Sequence, residues 1–211
     1  MLTLHGYWRS SAAYRVRIAL NLKGLSYDQV TYDLRQKAEK TDAYAVLNPQ
    51  KLVPALQTES GAILTQSLAI LEWLEEAHPA PALLPENPTD RAHVRAMAAA
   101  VACDIHPVNN LRILNALRGE FGASDDQVNQ WVVRWIGDGF DAIEQLIGGG
   151  DFCYGDAPTL ADCCLAPQVY NAQRFKVDLN RWPKIRAVAE ACEGVPAFYV
   201  ARPELQPDAD K

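Results

Sequence analysis

The sequence predicts a mixed α/β unit followed by an all-helical one, and three observations carry that reading. Short alternating segments and helical repeats interleave before residue 80, four prolines crowd the stretch from Pro79 to Pro88, and strand patterning is lost beyond it. A chain of 211 residues, 49% of them hydrophobic, can bury one large core or two modest ones. Length therefore leaves the number of domains open, and the proline-rich stretch decides it.

The elements follow in order. Leu2-Thr3-Leu4-His5-Gly6-Tyr7 alternates like a half-buried strand. Val16, Ala19, Leu20 and Lys23 then recur at helical spacing up to Gly24, giving a helix over residues 12–23. A strand over 27–34 and a polar stretch with a short helix ending at Leu47 precede a strand over 55–58. The turn Glu59-Ser60-Gly61 leads into a strand over 62–64 and a helix over 66–77. The order is β-α-β followed by β-β-α. Prolines can neither donate to a ladder nor continue a helix, so the next stretch reads as a linker. This places one domain at 1–80, a linker at 81–88 and an all-helical domain at 89–211, with helices over 89–117, 125–147, 160–172 and 184–193. Thr159-Leu160-Ala161-Asp162 is a capping box, a structural signature. The Pro/Asp-rich tail after Arg202 is expected to be loose.

Composition narrows the partners. A net charge of −6 and a pI near 5.2 argue against a nucleic-acid or anionic-membrane surface, which needs clustered positive charge. Small molecules or proteins fit better. Met1 runs directly into strand-like sequence, with no basic-plus-apolar leader and no bilayer-length apolar run, so a cytosolic location is expected. The five cysteines, Cys103, Cys153, Cys163, Cys164 and Cys192, are odd in number and form no Cys-x-x-Cys pair. Reduced, mostly buried thiols are expected. His5, His78, His93 and His106 show no ligand spacing, so no metal is expected.

The chemistry concentrates where the first strand meets the first helix. Ser10 and Ser11 sit at or just before the first turn, where backbone N–H groups lack partners and the helix dipole is positive. An anion fits there. A free thiol titrates near about 8.5, and a hydroxyl donor at a helix N-terminus raises its thiolate fraction. No cysteine lies in this turn, so the thiol must come from a ligand. The alternative is that Ser10 is only an N-cap. In Leu52-Val53-Pro54-Ala55-Leu56, the residues alone favour a trans proline opening a strand. A cis bond would expose the Val53 backbone to an extended, peptide-like ligand. Gln66-Ser67 opens another helix and makes a second carboxylate-binding terminus. Together these features suit a small ligand with a thiol at one end and a carboxylate at the other.

Glutathione answers that description, and the chain resembles the glutathione transferase superfamily over its whole length. Within it the chain is similar to the zeta class, which includes maleylacetoacetate and bacterial maleylpyruvate isomerases. The resemblance rests on Arg9-Ser10-Ser11-Ala12-Ala13-Tyr14-Arg15-Val16-Arg17-Ile18-Ala19-Leu20, Asn48-Pro49-Gln50, Leu52-Val53-Pro54-Ala55-Leu56, Gln66-Ser67-Leu68-Ala69-Ile70, Cys103-Asp104-Ile105-His106-Pro107 and Thr159-Leu160-Ala161-Asp162. The first and fifth of these point to the class, the others to the superfamily.

The resemblance implies a thioredoxin-like first domain, a helical second domain, a cis Pro54 and a homodimer. It assigns Ser10 to the glutathione thiolate, with Ser11 as the alternative catalytic partner of the sulfur and Ala12 and Arg15 in the same binding turn. Val53, Pro54, Gln66 and Ser67 match positions that grip the peptide backbone and γ-glutamyl end. Glu39 matches a further glutathione position where a neutral side chain is more usual. His106 and Asn110, in a segment similar to the family's substrate-facing helix, are assigned to glutathione as well. Asn109, Arg112 and Arg174 are assigned to substrate, as is Arg9, whose planar fork suits a carboxylate. A solvated or ion-paired arginine remains the alternative for Arg9 and Arg174, and a structural histidine for His106.

Two departures stand out: Ala12 replaces the usual cysteine of Ser-Ser-Cys, and Leu111 stands where maleylpyruvate isomerases carry an arginine. The implied reaction is cis-trans isomerisation of a maleyl-type enedione diacid, maleylacetoacetate or maleylpyruvate. Thiolate addition turns C=C into C–C and leaves an enolate, rotation follows, and elimination regenerates glutathione. The alternatives are a transferase conjugating or dehalogenating small electrophiles such as α-halo acids, and a non-catalytic binding module of the same fold.

Overall fold

In the computed structural model, which describes residues 1–210, the chain forms two compact units. The first takes Met1–Leu83 and the chain from Glu193 onward, and the second takes Leu84–Cys192. The expected division at 80/81 and 88/89 differs from this at both ends, for reasons visible in the side chains.

The first unit is built on a four-stranded sheet in the order β2-β1-β3-β4. Strand β1 (Leu2–Gly6) pairs in parallel with β2 (Tyr27–Thr31), Leu2 lying opposite Tyr27 and Gly6 opposite Thr31. Strand β3 (Ala55–Gln57) runs antiparallel to β1 and to β4 (Ile63–Thr65). Helices α1 (Ser11–Leu22) and α3 (Ser67–Ala77) pack together, and α10 (Pro196–Val200) packs on α1. Between β2 and β3 lie two 3-10 turns (Leu34–Gln36, Ala38–Lys40) and the short α2 (Asp42–Leu47). The expected β-α-β, β-β-α order is observed. Val16, Ile18, Ala19 and Leu20 of α1 and Ile70, Leu71 and Leu74 of α3 are fully buried. The larger of these side chains each stabilise by about 1.5–3 kcal/mol relative to exposure.

Buried charge explains the boundary. The Lys23 ammonium donates to Glu75 Oε2 and to the Pro81 carbonyl, both at 2.6 Å, while the Leu83 N–H donates to the same Glu75 oxygen at 2.9 Å. The first half of the expected linker is thereby tied into the first unit. The tail after Arg202 is not loose either. Arg17, buried in α1, donates to the carbonyls of Ala201 and Trp8, and Asp208 accepts the Trp8 N–H at 3.0 Å. A buried guanidinium must find acceptors, and the C-terminal segment supplies one of them.

The second unit is helical: α4 (Pro88–Ala99), a π-helical segment (Ala100–Ile105), α5 (His106–Val108), α6 (Leu111–Gly119), α7 (Asp125–Leu146), α8 (Leu160–Arg174) and α9 (Pro183–Glu193). Helix α4 packs on α8 and α7, and the π segment packs on α7. Gly139 permits that last approach, because a Cβ there would collide with the Ile105 side chain. The single helix expected over 89–117 is broken. Pro107 carries no N–H and its ring crowds the Cys103 carbonyl four residues back. The chain widens there, with the His106 N–H reaching the Val101 carbonyl, and α6 restarts under an Asn110 cap. Thr159 forms the expected capping box with Asp162, whose carboxylate also accepts the Cys153 N–H at 2.8 Å. Among the described residues no helix is long and apolar enough to cross a membrane.

Candidate active site

Strand direction gathers the first-unit candidates. β1 and β4 are both antiparallel to β3, so they run the same way, and each leads at its C-terminal end into a helix. The N-termini of α1 and α3 therefore lie at one end of the sheet, where β3 begins. His5, Ala55 and Thr65 form one row there. Ser10, Ser11 and Ala12, the Val53-Pro54 pair, and Gln66 with Ser67 all sit just beyond that row. Ligands of α/β sheets bind at such strand ends.

Ser10 is the N-cap of α1: its Oγ accepts the Ala13 N–H at 3.2 Å. A hydroxyl carries one donor and two acceptor lone pairs, so the capping bond leaves the proton available for a thiolate. The two readings of Ser10 are compatible. Ser11, buried, and Ala12, half-buried, occupy the first turn. Arg15, only 2% exposed, donates from Nη1 to Ser67 Oγ at 3.2 Å and so links the first helix to the N-terminus of α3. That bond brings a guanidinium to the N-terminus of α3. Gln66, at φ +67°, turns the chain into α3 from a region that side-chain-bearing residues rarely adopt. Such strain costs on the order of 1–3 kcal/mol and clusters at ligand sites.

The Val53–Pro54 peptide is cis, as the family resemblance implied and the residues alone did not. Among the described residues, neither the Val53 N–H nor its carbonyl has a hydrogen-bond partner. Glu39 is buried in the second 3-10 turn, with Oε1 3.5 Å from Lys40 Nζ and Oε2 accepting no hydrogen bond among the described residues. Arg9, half-exposed, lies 5.5 Å above the Trp8 ring. Sequence reasoning missed Tyr44, a buried side chain whose hydroxyl donates to the Leu52 carbonyl at 2.8 Å beside a second donor, Asn48 Nδ2, at 2.6 Å. Asn48-Pro49 was the available signal for Asn48; Tyr44 carried none. Burial pushes the Tyr44 phenol well above its ordinary range, so it remains a donor.

The second-unit candidates fall into two places. His106 is half-buried in α5, and Asn109 is buried, with Nδ2 donating to the Ile105 carbonyl at 3.1 Å and Oδ1 without a hydrogen bond among the described residues. Asn110 caps α6 by accepting the Arg112 N–H, and the Arg112 side chain is exposed. Arg174 is exposed at the end of α8, its guanidinium 6.0 Å from the Phe175 ring. Cys103 is exposed on the π segment, while burial raises the Cys153 and Cys163 thiols and quenches them as nucleophiles. No disulfide joins the five cysteines.

The first-unit set offers a hydroxyl at a helix N-terminus, an unpaired extended backbone, and a serine–arginine pair at a second N-terminus. That set fits an extended peptide bearing a thiol and carboxylates.

Comparison with known proteins agrees. Residues 1–76 match the family model described as Glutathione S-transferase, N-terminal domain, and residues 125–191 match Glutathione S-transferase, C-terminal domain. A maleylpyruvate isomerase of Ralstonia sp is 51% identical, the match covering 99% of this chain and 100% of that protein. A maleylacetoacetate isomerase of Pseudomonas aeruginosa is also 51% identical, over 98% of each chain. A holo structure of a maleylpyruvate isomerase, described as a bacterial glutathione S-transferase in the zeta class, superposes with a TM-score of 0.96 at 50% identity, covering 99% of this chain and 100% of that one. A maleylacetoacetate isomerase from Anaeromyxobacter dehalogenans with glutathione bound in its active site gives 0.90 at 45% identity, covering 100% and 98%. With both family models matched and full-length relatives at half identity, the chain belongs to the zeta class of the glutathione S-transferase family.

Proposed function

We propose that this protein is a glutathione-dependent isomerase that converts the cis C=C bond of a maleyl-type enedione diacid, maleylacetoacetate or maleylpyruvate, to trans. The observation that carries the reading is the convergence of Ser10, the Val53 backbone and the Arg15–Ser67 pair at one end of the sheet, in a chain whose half-identical relatives bear those two isomerase names.

When bound, glutathione supplies a sulfur nucleophile whose reversible addition lends the substrate double bond single-bond character and lets it rotate. Ser10 donates its hydroxyl proton toward that sulfur while the first turn of α1, with Ser11 and Ala12, presents N–H groups and the positive end of the helix dipole. Val53 pairs with the peptide backbone beside Pro54. Gln66 and Ser67, with Arg15 behind Ser67, hold the γ-glutamyl carboxylate. Glu39, His106 and Asn110 complete the glutathione contacts: Glu39 Oε2 accepts an N–H, and Asn110 donates from the amide that its capping bond leaves unused. Arg9, Asn109, Arg112 and Arg174 bind the substrate carboxylates and meet negative charge developing on its carbonyl oxygen. Ala12 leaves the turn without a thiol, so no protein sulfur there competes with that of glutathione. The reading includes a cytosolic homodimer, supported by the family resemblance and by cysteines that form no disulfide.

The test is isomerisation of both substrates with and without glutathione, following product and free thiol together. Turnover that requires glutathione without depleting it is expected and ranks the two substrates. Thiol loss with an α-halo acid and no isomerisation would make the protein a conjugating transferase, and absence of glutathione binding would leave a binding module.

A further inference from the structure

Two buried donors converge on one backbone oxygen. The Leu52 carbonyl accepts from the Tyr44 hydroxyl at 2.8 Å and from Asn48 Nδ2 at 2.6 Å, and these side chains are 0% and 2% exposed. A carbonyl oxygen has two lone pairs, so this one is saturated. The next peptide group inherits its direction. Across a planar trans peptide the C=O and the following N–H point opposite ways, so the oxygen held against Tyr44 and Asn48 turns the Val53 N–H away from them. That N–H has no acceptor among the described residues.

We infer that Tyr44 and Asn48 are positioning residues for glutathione: by gripping the Leu52 carbonyl they aim the Val53 N–H at the backbone of the bound tripeptide. The inference rests on the reading above, in which glutathione lies along Val53. The surrounding contacts show that the grip is stiff. The Tyr44 ring packs 4.4 Å from that of Tyr32, which keeps its hydroxyl in place. Asn48 uses its other amide atom as well: Oδ1 accepts the Gln50 N–H at 3.0 Å, and Gln50 Oε1 accepts from Gln66 Nε2 at 2.6 Å. The loop that presents Val53 is thus tied to the residue that opens α3. On its other flank the Lys40 and Lys51 ammonium groups each donate to the other's carbonyl at 2.9 Å. The whole loop is set as a unit against the sheet end, with the Val53 amide as the group it offers to a ligand.

The experiment titrates the full-length, ¹⁵N-labelled chain with glutathione and compares it with Tyr44→Phe and Asn48→Asp. Tyr44→Phe keeps the buried ring and removes only the donor. Asn48→Asp keeps the acceptor for the Gln50 N–H and sets a carboxylate oxygen against the Leu52 carbonyl. In the unsubstituted protein the Val53 amide proton moves downfield as glutathione binds. In Tyr44→Phe the glutathione dissociation constant rises about three- to tenfold, the worth of one hydrogen bond, the Val53 shift on binding shrinks, and turnover at saturating glutathione is retained. Asn48→Asp weakens binding further. A purely structural role would lower the melting temperature of both variants while leaving affinity and the Val53 response unchanged, and that result overturns the inference. So does glutathione binding to the unsubstituted protein with no response at Val53, which needs no variant to fold. Failure of the unsubstituted protein to bind glutathione at all would instead overturn the proposed function.

Discussion

Ser10→Ala separates two roles that one oxygen performs. The structural role is the cap: Ser10 Oγ accepts the Ala13 N–H at 3.2 Å, and losing such a cap costs about 1 kcal/mol. In a protein of this size that lowers the melting temperature by about 2–4 °C. The proposed chemical role is donation to a bound thiolate, and a hydrogen bond to a charged group is worth about 1.5–3 kcal/mol. At 1.36 kcal/mol per unit, the thiol pKa of bound glutathione rises by about 1–2 units in the variant. Turnover at neutral pH then falls roughly ten- to a hundredfold, because the thiolate is the reactive form. Ser10→Asp is the control. Its carboxylate caps a helix as well as serine does, yet it cannot donate when ionised and it repels a thiolate. The melting temperature is therefore restored while turnover stays low. The assay is an absorbance titration of bound thiolate against pH, run beside thermal melts and steady-state rates. Ser10→Ala that melts early but keeps the original thiolate pKa and turnover, or Ser10→Asp that is fully active, would show that Ser10 is a cap and nothing more.

Three further outcomes test other parts of the account. Ser67→Ala removes the acceptor that Arg15 Nη1 reaches at 3.2 Å, so KM for glutathione rises about tenfold while kcat changes little, a split that initial-rate kinetics resolve. Glu75→Gln takes the counter-charge from the fully buried Lys23 ammonium, and breaking a buried pair costs about 3–5 kcal/mol, read as a drop in the urea midpoint with an unchanged slope. Burial holds the His5 imidazole below its ordinary 6.5, outweighing the opposing effect of donation from the ring to Gln57. The unfolded chain takes up a proton as pH falls through that value and the folded chain does so only lower down, so the contribution is complete above 6.5 and is lost below it. The melting temperature should accordingly decline from pH 6.5 toward 5, and His5→Gln should show a shallower decline; equal slopes would remove His5 as a cause.

What the residues alone could disclose was local. Alternation in Leu2–Gly6, the helical repeat of α1 and the Thr159–Asp162 capping box are each written in a few consecutive side chains, and each feature stands where expected. The failures are all long-range or subtractive. The Pro/Asp-rich composition after Arg202 predicts a loose tail, yet Asp208 accepts the N–H of Trp8, 200 residues away, and no local pattern announces it. The expected helix over 89–117 follows its apolar repeat correctly, but one absent N–H at Pro107 forces the widening at Ala100–Ile105 that the repeat cannot encode.

The site shows the same division with a further step. Ser10, Ser11, Gln66 and Ser67 were readable because a helix start has its own grammar. Their convergence was not, because it depends on β3 running antiparallel to both β1 and β4, a property of pairing and not of any one segment. Once that pairing is known, the proposed carboxylate anchor at Ser67, backbone donor at Val53 and thiol anchor at Ser10 fall along one sheet end, and a ligand that met all three would be extended. Tyr44 enters only at this level. It touches no ligand in the proposed arrangement, and its phenol is one aromatic side chain among many until the Leu52 carbonyl is found in its path. A residue that works through its neighbour's peptide plane leaves no mark in the sequence beyond its presence, which is why geometry was needed to single it out.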